Sequence, residues 1–388
     1  MTLTRKRSFR NLAHICRFIL AATFVVSGFV KSVDPWGTAL KVNEYLSIYG
    51  LEWLSPVSMI FSIWMCGAEL MMGLMLTFKV RIRLVSIFAV LSMLFFTVLT
   101  FLSATWIPVE DCGCFGDALK LSPWATFFKN LVLLPLAVVV WWRYRPDRIL
   151  VFKRLEVALA ALFCSIGMGL GTYCYFHLPI IDFLPYKVGV NIREEMEQAV
   201  RETHEEDVVI VCRNKRTGRL SEFGLKDREW HNTKRWEWIE TRVDDEGSAD
   251  HVVVKPLISE FSLRDANGED ATALVAESEG RLYMICVTRF DRVGAKCAER
   301  LRRVVEKAEA EGATVLCVTP ERLMEDAVIC TEPKYLLEDT ERSFAGSDRV
   351  QCCNIDATVL KTILRAETGV VILENGTIVE KLNCRDIK

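Results

Sequence analysis

The sequence predicts a multi-domain membrane protein, in which an α-helical transmembrane bundle is followed by a soluble α/β domain. Three observations lead there. The 388 residues are 51% hydrophobic yet 25% charged, with a mean hydropathy of +0.22, so the apolar residues are concentrated in one region. Long apolar runs fill the chain to about His177 and then stop. Beyond it, charged residues alternate with short apolar stretches, as in a domain built for water. A net charge of −2 excludes a generally basic, nucleic-acid-coating protein. Fourteen cysteines without a repeated framework exclude a disulfide-dense scaffold. A tenth of the residues are aromatic, which excludes disorder.

Five runs, at 12–30, 53–78, 84–105, 123–142 and 157–176, reach the length of about 20 residues that a bilayer core requires. Buried helices of a soluble bundle would carry polar residues every three or four positions, and 131–142 carries none. Basic residues set the expected orientation. Arg5, Lys6, Arg7 and Arg10 precede the first run, Lys79, Arg81 and Arg83 follow the second, and Arg143, Arg145, Arg148, Lys153 and Arg154 follow the fourth. The alternate loops hold only Lys31 and Lys41, or Lys120. If all five segments span, the three rich clusters share the cytoplasmic side, and everything after Pro179 lies outside. No small-residue cleavage site follows Val30, so the first run reads as a retained helix.

The outer loop between the third and fourth spans reads Glu110-Asp111-Cys112-Gly113-Cys114-Phe115-Gly116-Asp117. Two residues of extended chain cover about 7 Å, whereas bridged cysteines sit about 5.5 Å apart at Cα. A Cys112–Cys114 bridge therefore needs a curled backbone, which Gly113 permits. So small a ring is strained and hence more oxidising than a structural bridge. Three readings of the pair stand side by side: a redox couple, two unreactive thiols, or half a zinc site. The outer loops before the fifth span hold no further Cys or His, so no metal site is expected. Acidic Glu110, Asp111 and Asp117 disfavour a thiolate and weigh against the redox reading.

Ionisable groups within the spans are the second signal. Glu69 lies well inside the second span, and Lys129 with Asn130 lies about two turns into the fourth. A Glu69–Lys129 pair would neutralise both charges, either as part of a cofactor site or as a clamp on helix register. Lys31 closes the first span, where its long side chain is expected to snorkel outward.

Ser27-Gly28-Phe29-Val30-Lys31-Ser32-Val33-Asp34-Pro35, the Glu69 helix, Asp111-Cys112-Gly113-Cys114-Phe115-Gly116-Asp117, and Ser122-Pro123-Trp124 followed by Lys129-Asn130 resemble the DoxX/MauE family. The likeness covers roughly residues 1–144, and Cys-Gly-Cys-Phe-Gly is its most specific motif. It implies a small bacterial membrane protein with a four-helix core, to which this chain adds a fifth span. The MauE branch is associated with disulfide formation during maturation of periplasmic methylamine dehydrogenase. The resemblance thus implies a redox-associated role in the inner membrane, with Cys112 and Cys114 as the reactive pair. The long C-terminal extension departs from stand-alone members. It resembles Bacteroidetes-type fusions of such a core to a thioredoxin-like domain.

That extension has its own pattern. Residues 207–212 and 220–225 suggest a hairpin around Lys215-Arg216-Thr217-Gly218, with a further strand at 236–241. Phe261-Ser262-Leu263 before Asn267-Gly268 suggests a strand entering a hairpin. Residues 282–287 and 314–318 read as strands buried on both faces. Residues 298–311 have helical spacing and Gly312 to end them, and 359–364 are helical. Residues 370–373 and 377–381 form a hairpin through Glu374-Asn375-Gly376. Strand, helix, strand, helix, hairpin is the order of a thioredoxin fold. Ile258-Ser259-Glu260-Phe261-Ser262-Leu263 also resembles membrane-anchored thiol–disulfide oxidoreductases of the periplasm. The dithiol is missing: the turn reads Phe290-Asp291-Arg292-Val293-Gly294-Ala295-Lys296-Cys297. Cys297 stands at the second-cysteine position or is an ordinary helix thiol, and the domain is expected to be non-catalytic.

The expected division is a helical core at 1–150, the fifth span at 151–180, a small β-rich connector at 181–255 and the thioredoxin-like domain at 256–388. Cys286 and Cys317 read as core residues, and Cys66 and Cys164 as residues of the spans. Cys330, Cys352, Cys353 and Cys384 are candidates for bridges. Two functions compete. One is support of periplasmic thiol–disulfide chemistry through Cys112 and Cys114, with a client protein or thiol–disulfide partner and a quinone in the helical core as electron acceptor. The other is a non-enzymatic scaffold that binds partners through its thioredoxin-like domain.

Overall fold

The computed structural model describes residues 3–106, 113, 116–119, 121–145, 154–198, 208–215, 220–224, 235–243, 261–265, 267–321 and 350–388. They fall into two compact units.

The helical unit takes in Met1–Leu184 and Leu364–Ala366. It contains α1 (Leu3–Val33), α2 (Pro35–Ile48), α3 (Ser58–Phe78) preceded by a 3₁₀ turn (Glu52–Val57), α4 (Ile82–Thr105), α5 (Pro123–Tyr144) and α6 (Arg154–Phe176). Among the described residues, five helices are long and apolar enough to cross a bilayer: α1, α3 with its turn, α4, α5 and α6. Each covers one expected run, and the chain is a multi-pass membrane protein. Their outward side chains suit lipid: Ile60, Phe95, Val132 and Leu155 are 71%, 61%, 65% and 70% exposed. Leu20, Phe24, Leu76, Val85, Met93 and Ala137 fill the space between helices.

Glycines set the spacing of these helices. A Cβ on Gly28 would meet Leu70 N at 2.4 Å, one on Gly73 would meet Val25 N at 2.6 Å, and one on Gly167 would meet Gly67 O at 2.5 Å. Backbones this close need small residues, as membrane helix interfaces commonly do. α3 is thereby pinned against α1 on one side and α6 on the other.

Helix α2 lies where the sequence predicts a loop, at 31–52. The signal was local. Asp34 accepts a hydrogen bond from Gly37 N at 2.9 Å and Pro35 opens the helix, the usual N-terminal arrangement. At 14 residues it is too short to span.

The C-terminal unit takes in Pro185–Ile363 and Glu367–Lys388. β1 (Val208–Asn214), β2 (Leu220–Gly224) and β3 (Trp236–Val243) form an antiparallel sheet with β1 in the centre, where the expected hairpin and extra strand lie. A six-stranded sheet follows, built from β4 (Leu263–Arg264), β5 (Arg281–Val287), β6 (Thr314–Thr319), β7 (Val350–Ile355), β8 (Thr368–Glu374) and β9 (Thr377–Asn383). Its spatial order is β4-β7-β6-β5-β8-β9. β5, β6 and β7 run parallel, whereas β4, β8 and β9 are antiparallel to their neighbours. The helices are α7 (Ala273–Ala276), α8 (Ala295–Ala310) and α9 (Ala357–Ile363).

Every residue of β5 after Arg281 is buried. Tyr283, Ile285 and Val287 pack with Leu301, Val304 and Val305 of α8. α8 ends as Gly312 foretells: its φ is +68°, and Ala313 N donates to Ala308 O while Gly312 N donates to Glu309 O, a Schellman cap. Asn375 and Gly376, both at positive φ, make the two-residue turn between β8 and β9. Two expectations change. The 261–268 segment does turn at Gly268, but it returns as a single Arg264–Asp270 bridge, while β4 pairs with β7. Strand β7 was not expected, because Gln351 and Asn354 break up its apolar residues.

Candidate functional site

Cys112 and Cys114 lie outside the described residues, as do Glu110 and Asp111. Gly113 between them is described. Its φ is +58° and its carbonyl accepts from Gly116 N at 3.1 Å. A Cβ there would meet Lys41 Cγ of α2 at 3.2 Å, and one on Gly116 would lie 3.7 Å from Val30 Cγ1 of α1. The described part of the loop thus rests against the last turn of α1 and the middle of α2. Left-handed backbone at this point needs glycine.

Beside Val30, Lys31 turns inward. Its Nζ lies 2.8 Å from Glu69 Oε2, with residue exposures of 4% and 8%, and 5.5 Å from the centre of the Phe96 ring. This corrects two expectations. Lys31 does not snorkel, and Glu69 pairs with Lys31, not with Lys129. The reason is helix spacing: Gly28, one turn before Lys31, lets α1 lie against the backbone at Glu69 and Leu70. Lys129 is half-buried on α5. Its neighbour Asn130 is buried and donates to Thr100 Oγ1 of α4 at 3.5 Å. A buried pair of this kind recovers by mutual attraction part of what its desolvation costs. Within the same unit Arg365 Nε donates to Asp34 Oδ2 at 3.0 Å, both side chains being buried.

Glu69 also lines a cleft of about 490 Å³ between α3 and α4. Phe61, Trp64, Phe88, Phe95 and Phe96 line it, together with methionines of α3. Glu69 is its one ionisable lining residue, and Lys129 is not part of it. The volume falls in the range of small-molecule pockets.

Arg17 is a buried charge that the sequence reading passed over. It is 2% exposed and donates to the carbonyls of Leu76 and Thr77 at the end of α3. A cation there satisfies carbonyls that the helix leaves unpaired. The signal was available, since an arginine inside an apolar run needs a partner.

The C-terminal unit holds a different chemistry. Cys297, the third residue of α8, is joined by a disulfide to Cys384, just beyond β9, with 5.7 Å between Cα atoms. Cys297 is therefore not an ordinary helix thiol. Cys352 is also disulfide-bonded, and Cys330 lies outside the described residues. Cys353, a candidate for bridging, is a buried free thiol instead. Cys286 and Cys317 are buried free thiols, in agreement with the core assignment. Burial pushes the Cys317 thiol up to about 12, that of Cys353 up to about 11, and that of Cys286 higher still. These thiols stay protonated and inert at neutral pH. Among the described residues no group of three or more His, Cys, Asp or Glu is arranged to hold a metal ion.

Comparison with curated proteins and with solved structures finds no match. Residues 10–143, which hold all of α2 to α4 and most of α1 and α5, match the family model of the methylamine utilisation protein MauE.

Proposed function

We propose that this membrane protein supports the thiol–disulfide chemistry of extracytoplasmic proteins, with Cys112 and Cys114 as its reactive pair. The observation that carries the reading is Gly113. Its positive φ is compatible with the curled backbone that a bridge across one residue needs. The match of residues 10–143 to the MauE model supports a redox-associated role. In our reading the chain sits in a bacterial inner membrane, with the N-terminus cytoplasmic and the C-terminal unit periplasmic. A disulfide between Cys297 and Cys384 agrees with an oxidising compartment. We also read residues 256–388 as a thioredoxin-like domain, after a core at 1–150, a fifth span at 151–180 and a connector at 181–255. The β6-β5-β8-β9 order supports that reading.

The chemistry is an exchange. A client thiolate attacks one sulfur of the Cys112–Cys114 disulfide, and the other leaves as a thiolate and takes up a proton. The second client thiol displaces the mixed disulfide, so that the client loses two electrons and the pair gains them. A lipid-soluble quinone is the proposed acceptor. Such a quinone would supply the oxidising power to close the pair again, accepting two electrons and two protons. The aromatic cleft at Glu69 has a suitable size and opens on a helix surface suited to lipid.

A Cys114→Ser variant tests this proposal. It is expected to accumulate a mixed disulfide between Cys112 and an extracytoplasmic protein, visible on a non-reducing gel and identified by mass spectrometry. Absence of any adduct, together with full function of a variant with both cysteines replaced by serine, would leave the anchored scaffold as the better reading.

A further inference from the structure

We infer that the Cys297–Cys384 disulfide is itself an exchange site, a second redox pair that stands in the C-terminal unit where a Cys-x-x-Cys dithiol is missing. This goes beyond the role proposed for Cys112 and Cys114 and does not depend on it.

The position is the first argument. β5 ends at Val287, and after a short 3₁₀ turn (Phe290–Arg292) α8 begins at Ala295. Cys297 lies in its first turn, with its own N–H donating to Gly294 O at 2.8 Å, next to the N–H groups that open the helix. Gly294 offers no side-chain cap, so the positive end of a 16-residue helix is left to act on a sulfur. Sites in α/β sheets gather at this edge, beyond the carboxyl ends of the parallel strands. Cys384 is brought there by the sheet: its N–H donates to Thr368 O at the start of β8 at 3.0 Å, and Gly369 pairs with Asn383.

The asymmetry of the two sulfurs is the second. Cys297 is partly exposed, while Cys384 is 4% exposed and packs with the core beneath α8. Of the two residues, Cys297 is the more accessible to an incoming thiolate. Arg300, three residues further along α8, donates to the carbonyls of Cys384 and Arg385 at 3.1 and 2.8 Å. The C-terminal segment thus keeps a second attachment when the sulfur bridge opens. The exchange balances as follows. A thiolate of a client dithiol attacks Cys297 Sγ, the bond to Cys384 breaks, and Cys384 leaves as a thiolate that takes up a proton. The second client thiolate then attacks the client sulfur of the mixed disulfide. Cys297 leaves as a thiolate at the helix N-terminus, the client is oxidised by two electrons and the Cys297–Cys384 pair is reduced by two. A disulfide of another protein or of a small thiol, reacting in the reverse sense, regenerates the pair.

The test uses the full-length chain in detergent and glutathione buffers of graded composition. Acid quenching, differential alkylation and mass spectrometry read Cys297 and Cys384 on peptides separate from that of Cys112 and Cys114, so either pair can fail without the other. The expected result is joint conversion of Cys297 and Cys384 between disulfide and dithiol, while circular dichroism keeps its folded signal. A Cys384→Ser variant should carry glutathione on Cys297 at least about tenfold more than a Cys297→Ser variant carries it on Cys384, following thiol exposure and thiolate character. If the wild-type bond opens only as the unit unfolds, or if the two variants capture glutathione equally, the pair is a structural staple and the inference is wrong.

Discussion

The helical unit and the C-terminal unit both bury thiols, but the long helices also bury paired charges. In the helices Cys16, Cys66 and Cys174 are buried free thiols, and each buried charge sits beside a partner: Lys31 on Glu69, and Arg17 on the carbonyls that end α3. In the six-stranded sheet the sulfurs differ in state. Cys286, Cys317 and Cys353 stay as free thiols among apolar strands, whereas Cys297, at the edge of the fold, is oxidised with Cys384. Lipid makes an unpartnered charge prohibitive, so the helices must carry both members of each pair. A sheet core tolerates a thiol alone, because an SH group behaves as a small hydrophobe. Charge in this protein therefore marks where helices must meet, and the buried thiols of the sheet serve as core.

The largest effect should come from splitting the buried pair. Glu69→Ala leaves Lys31 unneutralised and should cost about 3–5 kcal/mol of stability. A Lys31→Met, Glu69→Leu double variant should recover most of it. Thermal unfolding in detergent measures both, and equal losses in the single and double variants would deny that the pair is coupled. Next comes the approach of α1 to α3. Gly28→Val sets a branched side chain against the α3 backbone at Leu70 and should cost about 1–3 kcal/mol. Cross-linking between cysteines introduced on the two helices should fall in parallel, and unchanged cross-linking would contradict the close contact.

In the sheet, Cys317→Ser exchanges a thiol for a hydroxyl without a partner in an apolar core, a change worth about 1–3 kcal/mol. Cys317→Ala should be milder, as denaturant titration of the C-terminal unit will show. The smallest effect concerns Glu311. The Tyr283 hydroxyl donating at 2.7 Å, and then Arg281 at 3.2 Å, hold its carboxyl below the ordinary value of 4.5. Because the folded state favours the ionised form, the stabilisation is present above 4.5 and is lost as pH falls through the lowered value. Glu311→Gln should flatten that acid-side slope in hydrogen exchange of β5. An unaltered slope would show the contact to be energetically idle.

How much of this was legible in the sequence differs between the units as their chemistry does. Apolar length alone marked the five long helices, because a bilayer imposes a length that composition reveals. The buried strands β5 and β6 stood out as short apolar runs, and the Asn375-Gly376 turn through its turn residues. Helix α2 and strand β7 did not. The first is too short and mixed to stand out, and the second draws its place in the sheet from neighbours distant in sequence. The same limit hid the Lys31–Glu69 partnership. Charge balance required a partner for Glu69, but only the glycine contact between α1 and α3 selects Lys31 over Lys129. Cys384 was recognisable as a bridging candidate, while its partner depended on the β8–β9 register.

The central claim is that Cys112 and Cys114 form a working redox pair, and rapid acid trapping of living cells tests it most directly. Cells expressing the full chain are quenched, their thiols alkylated with a mass-tagged maleimide, and the peptide carrying both cysteines is read by mass spectrometry. The account predicts a disulfide in untreated cells, a dithiol after a brief pulse of reductant, and return to the disulfide once the reductant is removed. Two cysteines alkylated under every condition, or labelled only by reagents that reach the cytoplasm, would contradict it.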